Sequence, residues 1–138
     1  MRTQLLCTAV LWTCLRLSMV NAQVIIANRN VKISDISKSE VRDIFLGASS
    51  SFKDGMRAVP VTLKGGVIHE MFLKAFIGKN DAGFRGTWRA VIFSGQGIMP
   101  KVFESESALI EHVATVPGAI GYVEGTANLE KVKTLTVK

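Results

Sequence analysis

Apolar residues in this chain follow two rhythms, and the residues between them mark where one gives way to the other. "QVIIAN" opens with a short run of buried type, which predicts a strand from Val24 to Ala27. In "ISKSEVRDIFLG" the period lengthens to that of a helix. Ser37 stands at the N-cap, Glu40 completes a capping box three residues on, and Ile36 is placed to staple to Val41. Gly47 stops it, because glycine takes the left-handed C′ conformation at little cost. After the polar turn "SSSFKDG", "AVPVTL" (58–63) reads as a second strand, with Pro60 implying an edge or a bulge. From Val67 the helical period returns, with Val67, Met71, Phe72, Ala75 and Phe76 on one face, and Gly78 ends it. A third helix starts at Asn80 or Asp81 and carries the stripe Phe84, Trp88, Val91 and Ile92 as far as "SGQG". A fourth starts at Ser105 or Ser107, passes Leu109, Ile110 and Val113, and stops at Pro117-Gly118. "AIGYV" and "KVKTLTV" close the chain as strands. The order predicts one α/β domain, a small central sheet flanked by helices, with no internal repeat or linker.

The first 22 residues stand apart. "MRTQLLCTAVLWTCLRLSMVNA" has a basic start at Arg2, an apolar centre from Leu5 to Leu15 and a Val20-Asn21-Ala22 ending. This is the pattern of a signal peptide cleaved after Ala22, so residues 1–22 are read as a leader and 23–138 as an exported, periplasmic domain. Arg16 interrupts the apolar stretch, which is too short for a membrane span of roughly 20 residues. Cys7 and Cys14 leave with the leader, and with them any disulfide, thiol nucleophile or cysteine-ligated metal. The formal charge of +6 falls to +4 without Arg2 and Arg16. A mildly basic domain suits a small anion, and its scattered charges form no tract for nucleic acid.

Catalytic chemistry finds little support. "HEMFL" begins like a zinc-protease helix, but Leu73 occupies the place of the second ligand. His112 is expected on the polar, solvated side of its helix. "GQGIMP" lacks the third glycine of a dinucleotide loop, and Glu104, Glu106 and Glu111 read as a charged helix start and face. No catalytic residue, metal site or cofactor is therefore expected. Trp88 and Phe93 would make an aromatic platform, although their spacing with Phe84 favours core packing. Arg85 and Arg89, one turn apart, would line an anionic site or simply form a solvated face. The strongest candidate is "TLKGGVIHE": strand, Lys64, two glycines, helix start. Helix N-termini leave N–H groups unpaired and carry partial positive charge, and glycines let an anion approach. The same letters also suit a plain strand-to-helix turn.

"VPGAIGYV" (116–123) is similar to the closing signature of the substrate-binding proteins of phosphate ABC transporters, which have the type II periplasmic-binding-protein fold. "ISDISKSEVRDIFLGASSSFKDG" resembles their helix running into Phe-Leu-Gly and an aromatic-Lys-Asp-Gly turn. "VPVTL" resembles the strand before their phosphate loop, and "TWRAVIFSGQGIMP" is in step through Trp88, Phe93, Gly95 and Pro100. The resemblance covers the whole of residues 23–138, yet implies only one of the two lobes that clamp the anion in full-length receptors. Those receptors carry an Arg and a Ser-Gly-Thr stretch where this chain has Lys64-Gly65-Gly66-Val67, so the cation is kept and the hydroxyls are lost.

The resemblance implies an exported solute-binding domain that takes phosphate or a related oxyanion, in connection with ABC-type uptake or sensing. Its ligand residues would be Gly65, Gly66 and Val67 as backbone donors, Lys64 as counter-charge, and His69 facing the same mouth. An ABC transporter permease or a membrane sensor would be its partner, and a homodimer or another chain would supply the second lobe. The alternative is a ligand-free protein-interaction module that kept the fold and serves a membrane sensor or transporter.

Overall fold

A computed structural model describes residues 23–138, and the signal-peptide reading lies outside them. The elements follow the order β1 (Gln23–Ala27), β2 (Asp35–Ile36), α1 (Lys38–Phe45), β3 (Val59–Leu63), α2 (Val67–Phe72), α3 (Asp81–Phe93), β4 (Lys101–Phe103), α4 (Glu106–Thr115), β5 (Ala119–Glu124) and β6 (Lys133–Val137). Between α2 and α3 the helix continues as one wider π-helical turn, Leu73–Ile77. The strands form one six-stranded mixed sheet in the order β2-β6-β1-β5-β3-β4, with helices packed on it, as expected of an α/β domain. β1 runs antiparallel to β5 and β6, while β3 runs parallel to both β5 and β4.

Local chemistry punctuates the helices where the sequence indicates. Ser37 accepts a hydrogen bond from the Glu40 N–H, and Asn80 and Ser105, not their neighbours, cap α3 and α4 by accepting from Gly83 and Ala108. Pro60 is not on an edge strand, since β3 lies between β5 and β4. However, β4 pairs only from Val61 onward, so at Pro60 the strand is still flanked on one side alone and a missing N–H is tolerated.

Two expectations about helix faces need correction. The buried face of α2 and its extension carries His69, Phe72, Leu73 and Ile77, whereas Val67 is 69% exposed. Of the expected stripe Val67, Met71, Phe72, Ala75 and Phe76, only Phe72 is fully buried, because counting histidine as polar turned the predicted face away from His69. In α3 the core takes Phe84 and Trp88, while Ile92 and Phe93 face outward, Phe93 at 90% exposure.

The core centres on β5, whose first five residues are buried. The Tyr122 ring stacks on Phe72 with centroids 3.8 Å apart, and Phe45 meets Phe72 edge-on at 4.9 Å. α4 lies close on the sheet at Gly121, where an added Cβ would sit 2.8 Å from Leu109 Cδ2 and 3.1 Å from Val61 Cγ2. Gly121→Ala is therefore expected to destabilise by about 1–3 kcal/mol through overpacking, measured by chemical denaturation. The buried side chain of Asn28 closes the far end of α4, donating to the Val113 carbonyl at 2.8 Å and the Ala114 carbonyl at 3.2 Å.

Candidate functional site: the loop between strand β3 and helix α2

β3, β4 and β5 run parallel, so their carboxyl ends open on one side of the sheet. In open α/β sheets that is the side where ligands bind. Lys64 leaves β3 there, its N–H donating to the Phe103 carbonyl at 2.8 Å. Gly66 then turns the chain into α2 with φ +95° and ψ 176°, a backbone region essentially reserved for glycine. The first main-chain bond of the helix runs from the Glu70 N–H to the Gly66 carbonyl at 3.0 Å. The N–H groups of Val67, Ile68 and His69 precede that bond and lie at the positive end of the helix. Nothing lies within 4 Å of where a Cβ on Gly65 or Gly66 would project. The loop is open above.

Lys64, Gly65, Gly66 and Val67 thus lie together at one exposed turn. Lys64 pairs with Glu104 at 3.3 Å, but both side chains are mostly in solvent, so the pair is weak and screened by salt. His69 does not face the mouth. It is 2% exposed, beneath the loop, with both ring nitrogens engaged: Nδ1 with the Tyr122 hydroxyl, Nε2 with Asp81 Oδ1 at 2.9 Å. Being three positions before Phe72 on the inward side of α2, it is pinned between β5 and the start of α3.

Arg85, read from sequence as either an anion-site residue or a solvated face, belongs to this loop. Its Nε donates to Asp81 Oδ2 at 2.8 Å and its Nη2 to the Lys64 carbonyl at 3.3 Å. Burial pushes the Asp81 carboxyl up, but the hydrogen bonds from Arg85 and His69 outweigh it and hold the group below its ordinary value. Tyr122 is pushed well up by burial, so its hydroxyl keeps its proton. The only signals for this cluster in the sequence were the i,i+4 spacing of Asp81 and Arg85 and a histidine in an apolar helix.

The space bounded by Thr62, Leu63, His69, Asp81, Arg85 and Met99 is about 10 Å³, room for at most one water. A ligand at this loop would sit on its open face. His112 departs from expectation too. It is half-buried, its ring 4.9 Å from Phe103, and burial together with the Lys101 charge pushes its pKa down. Among the described residues no group of three His, Cys, Asp or Glu could hold a metal ion, and no helix is long and apolar enough to cross a membrane.

No protein-family model matches the chain, and no curated protein does. Solved structures do. A proposed phosphate ABC transporter substrate-binding protein from Clostridium perfringens, solved with bound phosphate, is similar at a TM-score of 0.66 and 16% identity over 83% of this chain. The fold is that of one receptor lobe. PstS from Borrelia burgdorferi is similar at a TM-score of 0.64 and 17% identity over 85% of the chain. An ABC-type phosphate transport receptor from Vibrio cholerae follows at 0.54 and 15% over 83%. The chain spans 44%, 47% and 45% of the lengths of these three, less than half of each. At such identities the likeness is one of fold. None of these comparisons supports a homodimer.

Proposed function

We propose that this is an exported, periplasmic solute-binding-protein-like domain that takes phosphate or a related oxyanion on the open face of the 64–67 loop, in ABC-type uptake or sensing. One observation carries the reading: the α2 N-terminus opens over Gly65 and Gly66 with unobstructed space above, at the carboxyl ends of the parallel strands. The fold supports it, since the similar Clostridium perfringens protein was solved with phosphate bound. Gly65, Gly66 and Val67 act as backbone donors and Lys64 as counter-charge. A transporter permease or membrane sensor is the partner to which such a domain would report.

Titration of the chain from Gln23 with inorganic phosphate at low salt tests this directly. Saturable binding is expected, and Lys64→Ala should weaken it by roughly two- to tenfold, a modest loss because Lys64 is exposed. Absence of binding up to millimolar phosphate would sink the reading.

A second reading has its own observation. Val67, Phe93 and Ile98 stand 69%, 90% and 83% exposed, large apolar side chains left facing solvent. Such residues suit a protein-interaction module that kept the fold without the ligand. Capture of a membrane protein that is lost in Phe93→Asp, together with silent phosphate titrations, would favour it.

A further inference from the structure

We infer that Arg85 is the anchoring cation of the 64–67 loop, set in place by a buried hydrogen-bonded chain running from Tyr122 through His69 to Asp81. The inference rests on the oxyanion reading and names a ligand residue within it.

The proton positions in the chain follow from counting donors. The Tyr122 hydroxyl accepts from the Leu63 N–H at 3.0 Å, and its own proton is left to donate. The acceptor beside it is His69 Nδ1. With Nδ1 accepting, the ring proton sits on Nε2 and is donated to Asp81 Oδ1. The other carboxylate oxygen, Oδ2, takes the Arg85 Nε–H. Each member has one role, and among the described residues no buried side-chain nitrogen or oxygen lacks a partner. The chain starts on the central strand β5, crosses α2 and ends on the first turns of α3. It thereby ties the guanidinium of a helix to the carbonyl of the loop residue Lys64.

This arrangement makes Arg85 the preorganised cation and Lys64 the loose one. The Lys64 side chain is 69% exposed and its ion-pair partner among the described residues, Glu104, is 84% exposed. Arg85 is 34% exposed and held, among the described residues, at two of its five N–H groups, which leaves three to offer a ligand. A planar fork fixed beside the loop matches two oxygens of a tetrahedral oxyanion, whereas an ammonium supplies a point charge. Fixing the fork before the ligand arrives removes part of the ordering cost of binding. His69 and Tyr122 do not touch the ligand; they are positioning residues.

The test is a phosphate titration of the chain from Gln23, followed through the Gly65 and Gly66 amide signals by NMR. Wild type, Arg85→Ala, Arg85→Lys and Tyr122→Phe would be compared. Arg85→Ala should weaken phosphate at least tenfold, more than Lys64→Ala, and Arg85→Lys should restore little of it. Tyr122→Phe removes a single hydroxyl, and spectra of the folded variant should show weaker phosphate binding. In wild type the His69 ring nitrogens should report the Nε2–H tautomer, and Tyr122→Phe should shift that balance. Wild-type binding that is unchanged in Arg85→Ala overturns the inference and leaves the oxyanion reading standing, as does a His69 proton found on Nδ1. No response of the wild-type amides to phosphate overturns both together.

Discussion

Trp88→Ala should lower the unfolding free energy by about 3–5 kcal/mol, the usual range for removing a buried indole. The ring is 4% exposed and reaches from α3 to the end of α1, where its Nε1 donates to the Phe45 carbonyl at 2.7 Å. The chain leaves room for it with a glycine. A Cβ on Gly47 would stand 3.1 Å from Trp88 Cη2 and 3.3 Å from Cζ3. Truncation therefore opens a cavity and strands a carbonyl at once. Five residues on, Phe93 is 90% exposed, and Phe93→Ala should change stability by no more than about 0.5 kcal/mol. Urea denaturation of the two variants separates the ring that holds the lobe together from the one displayed on its surface. Similar losses in both would mean that Trp88 is not a core residue.

Gly118→Ala is expected to cost roughly 2–5 kcal/mol, from about 1–2 for a left-handed backbone and 1–3 for steric conflict. Gly118 has φ +77°, and an added Cβ would fall 2.3 Å from the Arg57 carbonyl oxygen, a backbone atom with no freedom to swing away. Its carbonyl also accepts from the Val59 N–H at 2.9 Å, while its N–H donates to Asn30 Oδ1 at 3.2 Å. The residue is thus where α4, β3 and the β1–β2 loop are joined. Thermal melts would read the loss, and a variant as stable as wild type would refute this account of the turn. The "PGAIGY" stretch that carries the family resemblance accordingly contains two glycines with separate packing roles, Gly118 at the crossing and Gly121 beneath α4.

Features set by neighbours a few residues away were legible in the chain. Ser37, Asn80 and Ser105 cap helices within three residues of themselves, and Gly47, Gly78 and Gly118 stop them with positive φ. The same local rules marked the Lys64-Gly65-Gly66 turn and the alternation of strands and helices. Strands β2 and β4, two and three residues long, are too short to show a period.

The sequence by itself therefore determined an α/β lobe, its helix boundaries and a cationic glycine turn at a helix start. Only the tertiary structure decided what stands around that turn. His69 meets Tyr122 53 positions away, and Arg85 meets the Lys64 carbonyl 21 positions away. Nothing in the local pattern distinguishes such a histidine from a solvated one, or such an arginine from the many on helix faces. Hydropathy scores residues singly, whereas burial of a polar side chain depends on partners that satisfy every donor and acceptor it carries. Those partners come together only when β5, α2 and α3 pack against one another.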